Sequence, residues 1–266
     1  MKRTELDINQ EPVYNVICIK WGASYSPEYV NRLCNMVKRN TQYTINFFCF
    51  TDDAAGLDDG VIVKPMTTLN VKPEDNKYSY KKEAGLCDDN LGGLYNQRVF
   101  FFDLDVVIVD NIDCLFDYPI GRDFFIINDW NTKGNHVGQA SCYSWVVGEL
   151  GFVKTYFEQH PKEVVKRYYT ASQEFLSAQV IARYGKLNFW PDSWTRSFRY
   201  HCLPKSFLRH FFVAKIPVGA KIIVFHGSPK PDEALEGVWS NTHKVPFWKL
   251  IYKGVCPTLW IADYWK

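Results

Sequence analysis

Hydrophobic and polar positions along the chain alternate between strand-length apolar runs and helix-period stripes. Residues 13–20 (VYNVICIK) read as a buried strand. A turn through Trp21-Gly22-Ala23-Ser24-Tyr25 follows. Ser26-Pro27-Glu28 then opens a helix, with Ser as N-cap, Pro in the first helical position and an acid at the positive end. Val30, Leu33 and Val37 give that helix its apolar stripe. Residues 45–51 (INFFCFT) form a second buried strand closed by Asp52-Asp53, and 61–64 a short third. Strand, helix, strand, turn, strand is the opening of a parallel α/β sheet.

Residues 66–90 are polar and carry Lys72, Lys77, Lys81 and Lys82. From Val99 to Val109 two carboxylates, Asp103 and Asp105, interrupt nine apolar residues. Asn111-Ile112-Asp113 opens a short helix ending near Phe116. Further strands are predicted at 124–127 and 143–147, and helices at 149–159, stopped by Pro161, and at 173–184, with Ser172 as N-cap and Gly185 just past the end. A last strand at 221–225 runs straight into His226-Gly227-Ser228-Pro229-Lys230-Pro231. The chain shows no internal repeat and no low-complexity linker.

Composition narrows the class. The 266 residues carry 31 basic and 29 acidic side chains, for a net charge of +2, and 47% are hydrophobic. Such a chain can bury a proper core, so global disorder is excluded. Near-neutrality argues against a protein that coats nucleic acid. No apolar run approaches bilayer-spanning length, and Met1–Asp7 lacks the apolar stretch of a signal peptide. The eight cysteines are scattered without Cys-x-x-Cys or zinc-ligand spacing, as expected of reduced core thiols in a cytoplasmic protein.

Charge is unevenly placed. Residues 193–231 contain no acid and seven cations, leaving the rest of the chain near −5. A local cation field of this kind suits a compact anionic ligand or a membrane face. The last 28 residues hold seven aromatics (Trp239, Phe247, Trp248, Tyr252, Trp260, Tyr264 and Trp265), with Lys244, Lys249, Lys253 and Lys266 against Asp263. They belong to residues 232–266, which read as an aromatic, basic extension of one domain covering 1–266. It either packs on the domain as a lid or makes a peripheral membrane contact.

Two places carry the chemistry. Burying Asp103 and Asp105 unpaired in a strand would be very costly. They are expected at the strand's C-terminal end, where open α/β sheets bind ligands, pointing to one face with Leu104 opposite. A divalent ion that also bridges phosphates would relieve their repulsion. In His226-Gly-Ser-Pro-Lys230, a neutral imidazole is a metal ligand suited to Mn2+, Gly227 brings backbone N–H groups close to a phosphate, and Lys230 adds a point charge.

The frame Arg98-Val-Phe-Phe-Phe-Asp-Leu-Asp-Val-Val-Ile-Val-Asp-Asn-Ile-Asp113 resembles the metal-binding segment of GT-A glycosyltransferases, in particular the retaining glycogenin and lipopolysaccharide galactosyltransferase group. His226-Gly-x-x-Lys230-Pro231 resembles that group's C-terminal metal and diphosphate motif. The resemblance covers roughly residues 13–231. It implies an α/β GT-A fold with a mostly parallel central sheet flanked by helices. It also implies Mn2+, with Mg2+ as the alternative ion, held by Asp103, Asp105 and His226 against the diphosphate of a UDP-sugar. Donor contacts would come from Trp21, Gly22, Tyr25 and Asp52 at the base and ribose, and from Lys81, Lys82, Leu104, Gly227 and Lys230 near the diphosphate. Gln139 and Ser141 would lie by the donor sugar, with Asp129 and Gln173 as the catalytic candidates. Trp194, Ser197 and Arg199 resemble a family segment before the final strand. Ser172 departs from the family, which has Asp there. The acceptor would be a glycan, a lipid-linked sugar or a protein, with no role for nucleic acid.

Two other readings compete. Asp103-Leu-Asp-Val-Val also satisfies the haloacid-dehalogenase phosphatase signature, with Asp103 as nucleophile. That motif normally lies on the fold's first strand, and here about 100 residues of α/β pattern precede it. A non-catalytic nucleotide- or carbohydrate-binding protein on a transferase fold is the third reading.

Overall fold

The computed structural model describes residues 12–76, 80–131, 134, 136–169, 171–242, 246–249 and 251–266. Met1–Asp7, Lys77, Lys244 and the side chain of Phe247 lie outside the described residues. In chain order the first elements are β1 (Val13–Lys20), α1 (Pro27–Arg39), β2 (Thr44–Thr51), β3 (Ile62–Pro65), β4 (Arg98–Phe102), β5 (Val106–Ile108), α2 (Asp113–Asp117), β6 (Phe125–Asn128) and β7 (Gly138–Val146). There follow α3 (Gly151–Gln159), α4 (Pro161–Tyr168), α5 (Ser172–Tyr184), β8 (Asn188–Phe189), β9 (Thr195–Ser197), β10 (Ile222–Val224), α6 (Pro231–Glu236) and α7 (Trp260–Tyr264).

The continuous apolar runs of β1, β2 and β4 have one cause: these strands lie inside a sheet covered on both faces. The seven-stranded sheet has the order β3-β2-β1-β4-β7-β6-β8. From β3 to β4 it is parallel, β7 runs antiparallel to both its neighbours, and β8 is parallel to β6. Alternate residues feed opposite layers. Val16, Cys18, Phe100 and Phe102 pack with α1 and the C-terminal part of the chain, whereas Ile17, Ile19, Val99 and Phe101 pack with the α3–α5 layer.

The run from Val99 to Val109 is not one strand. It leaves the central sheet at Asp103, and β5 joins a separate three-stranded sheet of order β5-β10-β9. Two carboxylates cannot sit in a dry ladder, so the acid pair marks the change of sheet. Beyond the break, β10 pairs antiparallel with β5, Val224 opposite Val106.

Other expectations shift by small amounts. Ser26 takes the N-cap position of α1, but its side chain makes no capping bond. The strand expected at 143–147 begins at Gly138. Its first part is hidden by Gln139 and Ser141, polar residues that are buried here. Pro161 does more than stop a helix, because it occupies the first turn of α4. Ser172 is the first residue of α5 rather than its N-cap, a position held by Ala171, and Gly185 closes the helix in the left-handed region at φ 79°. The short β8 and β9 carry too little pattern to be seen in advance. All eight cysteines are free, six of them buried.

The C-terminal extension divides. Trp239 and Trp265 are buried in the α1-side core, and the Trp260 indole donates to the Ala214 carbonyl at 2.9 Å. Arg39 donates to the carbonyls of Tyr264 and Lys266, and Arg32 lies 4.0 Å over the Trp265 ring. Trp248 and Tyr252 remain exposed. Among the described residues no helix is long and apolar enough to cross a membrane.

Candidate functional site

The C-terminal ends of β1 and β4 open into a cleft of about 270 Å³ lined by Ile19, Lys20, Trp21, Ser24, Tyr25, Lys82, Asp103, Leu104 and Asp105. Both carboxylates reach it, but not by strand alternation: residues 103–105 lie in the break between β4 and β5, and Leu104, though buried, lines the cleft with them rather than facing away. Each is held by a different partner. Asp103 accepts from the Lys82 ammonium at 3.0 and 3.1 Å and from the Ser141 hydroxyl at 2.7 Å. Asp105 accepts from the Tyr25 hydroxyl at 2.6 Å. Burial, and then the neighbouring Asp103, push the Asp105 carboxyl up to about 7, against the pull of Tyr25, Lys82 and Lys230. Burial alone would lower the Lys82 ammonium. Asp103 and Glu83, whose carboxylate lies 3.4 Å away, more than reverse that and hold its proton firmly.

The turn after β1 supplies the cleft's other wall. Gly22, at φ 58°, points its N–H at the Asp52 carboxylate, 3.2 and 3.3 Å from its two oxygens, so two of the expected donor contacts meet. The Lys81 ammonium lies 5.9 Å over the Trp21 ring and does not line the cleft.

Gln139 and Ser141 lie on β7, directly behind Asp103. Gln139 donates its amide to the Ser141 hydroxyl at 2.8 Å and accepts the Ser141 N–H at 2.9 Å. Both are buried, and together they fix the Asp103 carboxylate. Gln173, in the first turn of α5, accepts the Ala140 N–H at 3.4 Å, which ties that turn to the same strand. Asp129 follows β6, is buried, and accepts the Asn131 N–H at 3.2 Å.

The second motif arrives on β10. Its ladder with β5 continues past the strand end, where the Phe225 N–H donates to the Asp105 carbonyl at 3.1 Å. His226 is the next residue along, and the charged groups nearest its ring are Arg199, Asp129 and His201. Its ring lies between Trp130 and Tyr200, with centroids 5.6 and 5.5 Å away and interplanar angles of 25° and 26°. Its Nε2 shares a 2.7 Å hydrogen bond with Ser197 Oγ. Burial, followed by the charge of Arg199, lowers the imidazole to about 4, so the ring is neutral at physiological pH. Gly227 takes φ 77°, a conformation glycine adopts without strain. Lys230 places its ammonium 4.2 Å over the Tyr25 ring and 3.3 Å from the Ser24 carbonyl. The two ends of the sequence thus meet across the cleft.

Sequence reasoning missed the Tyr25–Asp105 bond, buried Glu83, and the Trp130 and Tyr200 faces against His226. Tyr25 is expected as a base or ribose contact rather than as a partner of Asp105, and Trp130 and Tyr200 lie outside any motif. Trp194, considered with Ser197 and Arg199, packs edge-on against Tyr118 at 5.2 Å and is structural.

Carboxylates, one of them resisting ionisation, and a neutral imidazole just past β10 are donor types that a hard or borderline divalent ion takes. The three side chains are engaged by Lys82 and Ser141, by Tyr25, and by Ser197. Among the described residues no group of three or more His, Cys, Asp or Glu side chains is gathered as a ligand set.

No family model matches the sequence, and no curated protein does. Solved structures do match, and they establish the fold as that of GT-A glycosyltransferases. One is the galactosyltransferase LgtC in complex with donor and acceptor sugar analogues. It shares 14% identity at a TM-score of 0.54, over 82% of this chain and 88% of that one. Another is an active-site mutant of LgtC with glutamate in place of glutamine, at 13% identity and a TM-score of 0.53, over 82% and 89%. At this identity the likeness is one of fold.

Proposed function

We propose that the chain is a glycosyltransferase that moves a sugar from a nucleotide-sugar donor, a UDP-sugar, to an acceptor. The observation that carries this reading is the meeting of two sequence-distant motifs on a GT-A fold. Asp103 and Asp105 open into the cleft, the residue before His226 bonds the Asp105 carbonyl, and Lys230 lies over Tyr25. The alternative phosphatase reading needs its nucleophilic Asp on the first strand, whereas Asp103 follows β4.

Mn2+, or Mg2+ in its place, would be held by Asp103, Asp105 and His226 and would supply charge stabilisation to the departing diphosphate. The chain's own residues do the rest. Lys82 and Lys230 flank the cleft with fixed positive charge where the leaving group gains negative charge. Trp21 and Tyr25 offer aromatic faces to the base and ribose. Gln139 and Ser141 hold Asp103 in one orientation, so it does not reorganise during the reaction. Gln173 and Asp129 are the polar groups we assign to the donor-sugar side.

Binding is tested by thermal melts. UDP with Mn2+ should raise the melting temperature, by an amount equivalent to about 2.7 kcal/mol at a hundredfold excess over Kd, and chelator should cancel the gain. A melt unmoved by UDP with either Mn2+ or Mg2+ would contradict the proposal.

A further inference from the structure

Eight of the exposed large apolar side chains fall in two short segments, 205–213 and 248–253. The single turn Ser206–His210 buries none of its residues and continues into Phe211 and Phe212, which are 73% and 58% exposed. Phe207 is exposed beside them, and across the chain so are Trp248 at 63% and Ile251 at 66%. The two segments are fastened together. The Arg209 guanidinium donates to the Tyr252 carbonyl at 2.5 Å, the Cys256 thiol donates to the Arg209 carbonyl at 3.5 Å, and the His210 ring fills the space a Cβ on Gly254 would need.

Charge says what covers this face. Neither 193–231 nor 246–262 contains an acid, and the exposed aromatics are interleaved with Lys205, Arg209, Lys215, Lys249 and Lys253. In a chain of net charge +2 this is a local concentration of cations. A second copy would bring like charge against like charge. An anionic bilayer surface offers both an apolar boundary for the rings and negative charge for the lysines.

We propose that the face built from residues 205–213 and 248–253 docks on an anionic lipid bilayer. It begins just after Phe198–Cys202, the π-helical turn whose Tyr200 stacks on His226, so docking would bring the His226 side of the site toward the membrane. Resting on the transfer reading, this favours a lipid-anchored acceptor over a soluble one.

Co-sedimentation of the full chain with phosphatidylcholine vesicles, with and without phosphatidylglycerol, tests it. The chain should pellet with phosphatidylglycerol-containing vesicles and be released by salt. Replacing both Phe211→Ser and Phe212→Ser should weaken partitioning at least tenfold. Lys205→Gln and Lys215→Gln should each weaken it roughly fivefold. All variants should melt like the parent, because none of these side chains is buried. Three outcomes overturn the proposal: no pelleting with anionic vesicles, undiminished pelleting of the double Phe variant, or a dimer in sedimentation velocity that the double Phe variant dissolves. UDP release in solution is a separate readout, so lipid docking and sugar transfer can each fail alone.

Discussion

At the scale of the residue, the acid pair is costly to keep. Asp105 is buried beside Asp103, and its folded-state carboxyl titrates near 7 against about 3.9 unfolded. The folded chain therefore holds a proton that the unfolded chain has lost, and stability falls as pH rises from about 4 to 7. Above that window the full cost is present. Asp105→Asn keeps an acceptor for Tyr25 and removes the charge. In metal-free protein it should be more stable than the parent in urea melts at pH 8, with the gain vanishing toward pH 4. An Asn variant less stable at pH 8 would show that the ionised pair is stabilising.

At the scale of the element, β10 decides whether the site exists. It is three residues long and fully buried, and its register with β5 brings the Phe225 N–H to the Asp105 carbonyl, with His226 the next residue along. Ile223→Ala should cost about 3 kcal/mol, as large-to-small changes at fully buried positions do, and should also depress sugar transfer. Ile223→Val should cost about 1 kcal/mol and leave transfer intact. Equal activity in the two variants would detach His226 from the strand that carries it. This is also the scale at which the sequence was most legible. β1, β2, β4 and α1 announce themselves because a strand buried on both faces reads as an unbroken apolar run and a half-buried helix as a stripe. β7 was half hidden because Gln139 and Ser141 spend their polarity inside the protein, on each other and on Asp103. No local pattern reveals a polar residue satisfied by a partner dozens of positions away. For the same reason Asp103 and Asp105 were legible as a pair, while the Tyr25 hydroxyl and the rings around His226 were not.

At the scale of the whole molecule, near-neutral net charge conceals a division of labour. The parallel half of the sheet supplies the cleft, and the acid-free stretch 193–231 supplies His226, Lys230 and the cations around them. The aromatic surplus is shared between a packed tail, through Trp239 and Trp265, and the exposed face at 205–213 and 248–253. The central claim is that this arrangement cleaves a nucleotide-sugar at its sugar–diphosphate bond. UDP release from a panel of UDP-sugars, with Mn2+ and with chelator, measures it most directly and also separates an enzyme from a mere nucleotide binder. At least one UDP-sugar should release UDP with Mn2+ and stop with chelator, and Asp103→Asn should slow it roughly a hundredfold or more. The contradicting result is that no UDP-sugar turns over under any divalent ion, or that Asp103→Asn turns one over at the parent rate.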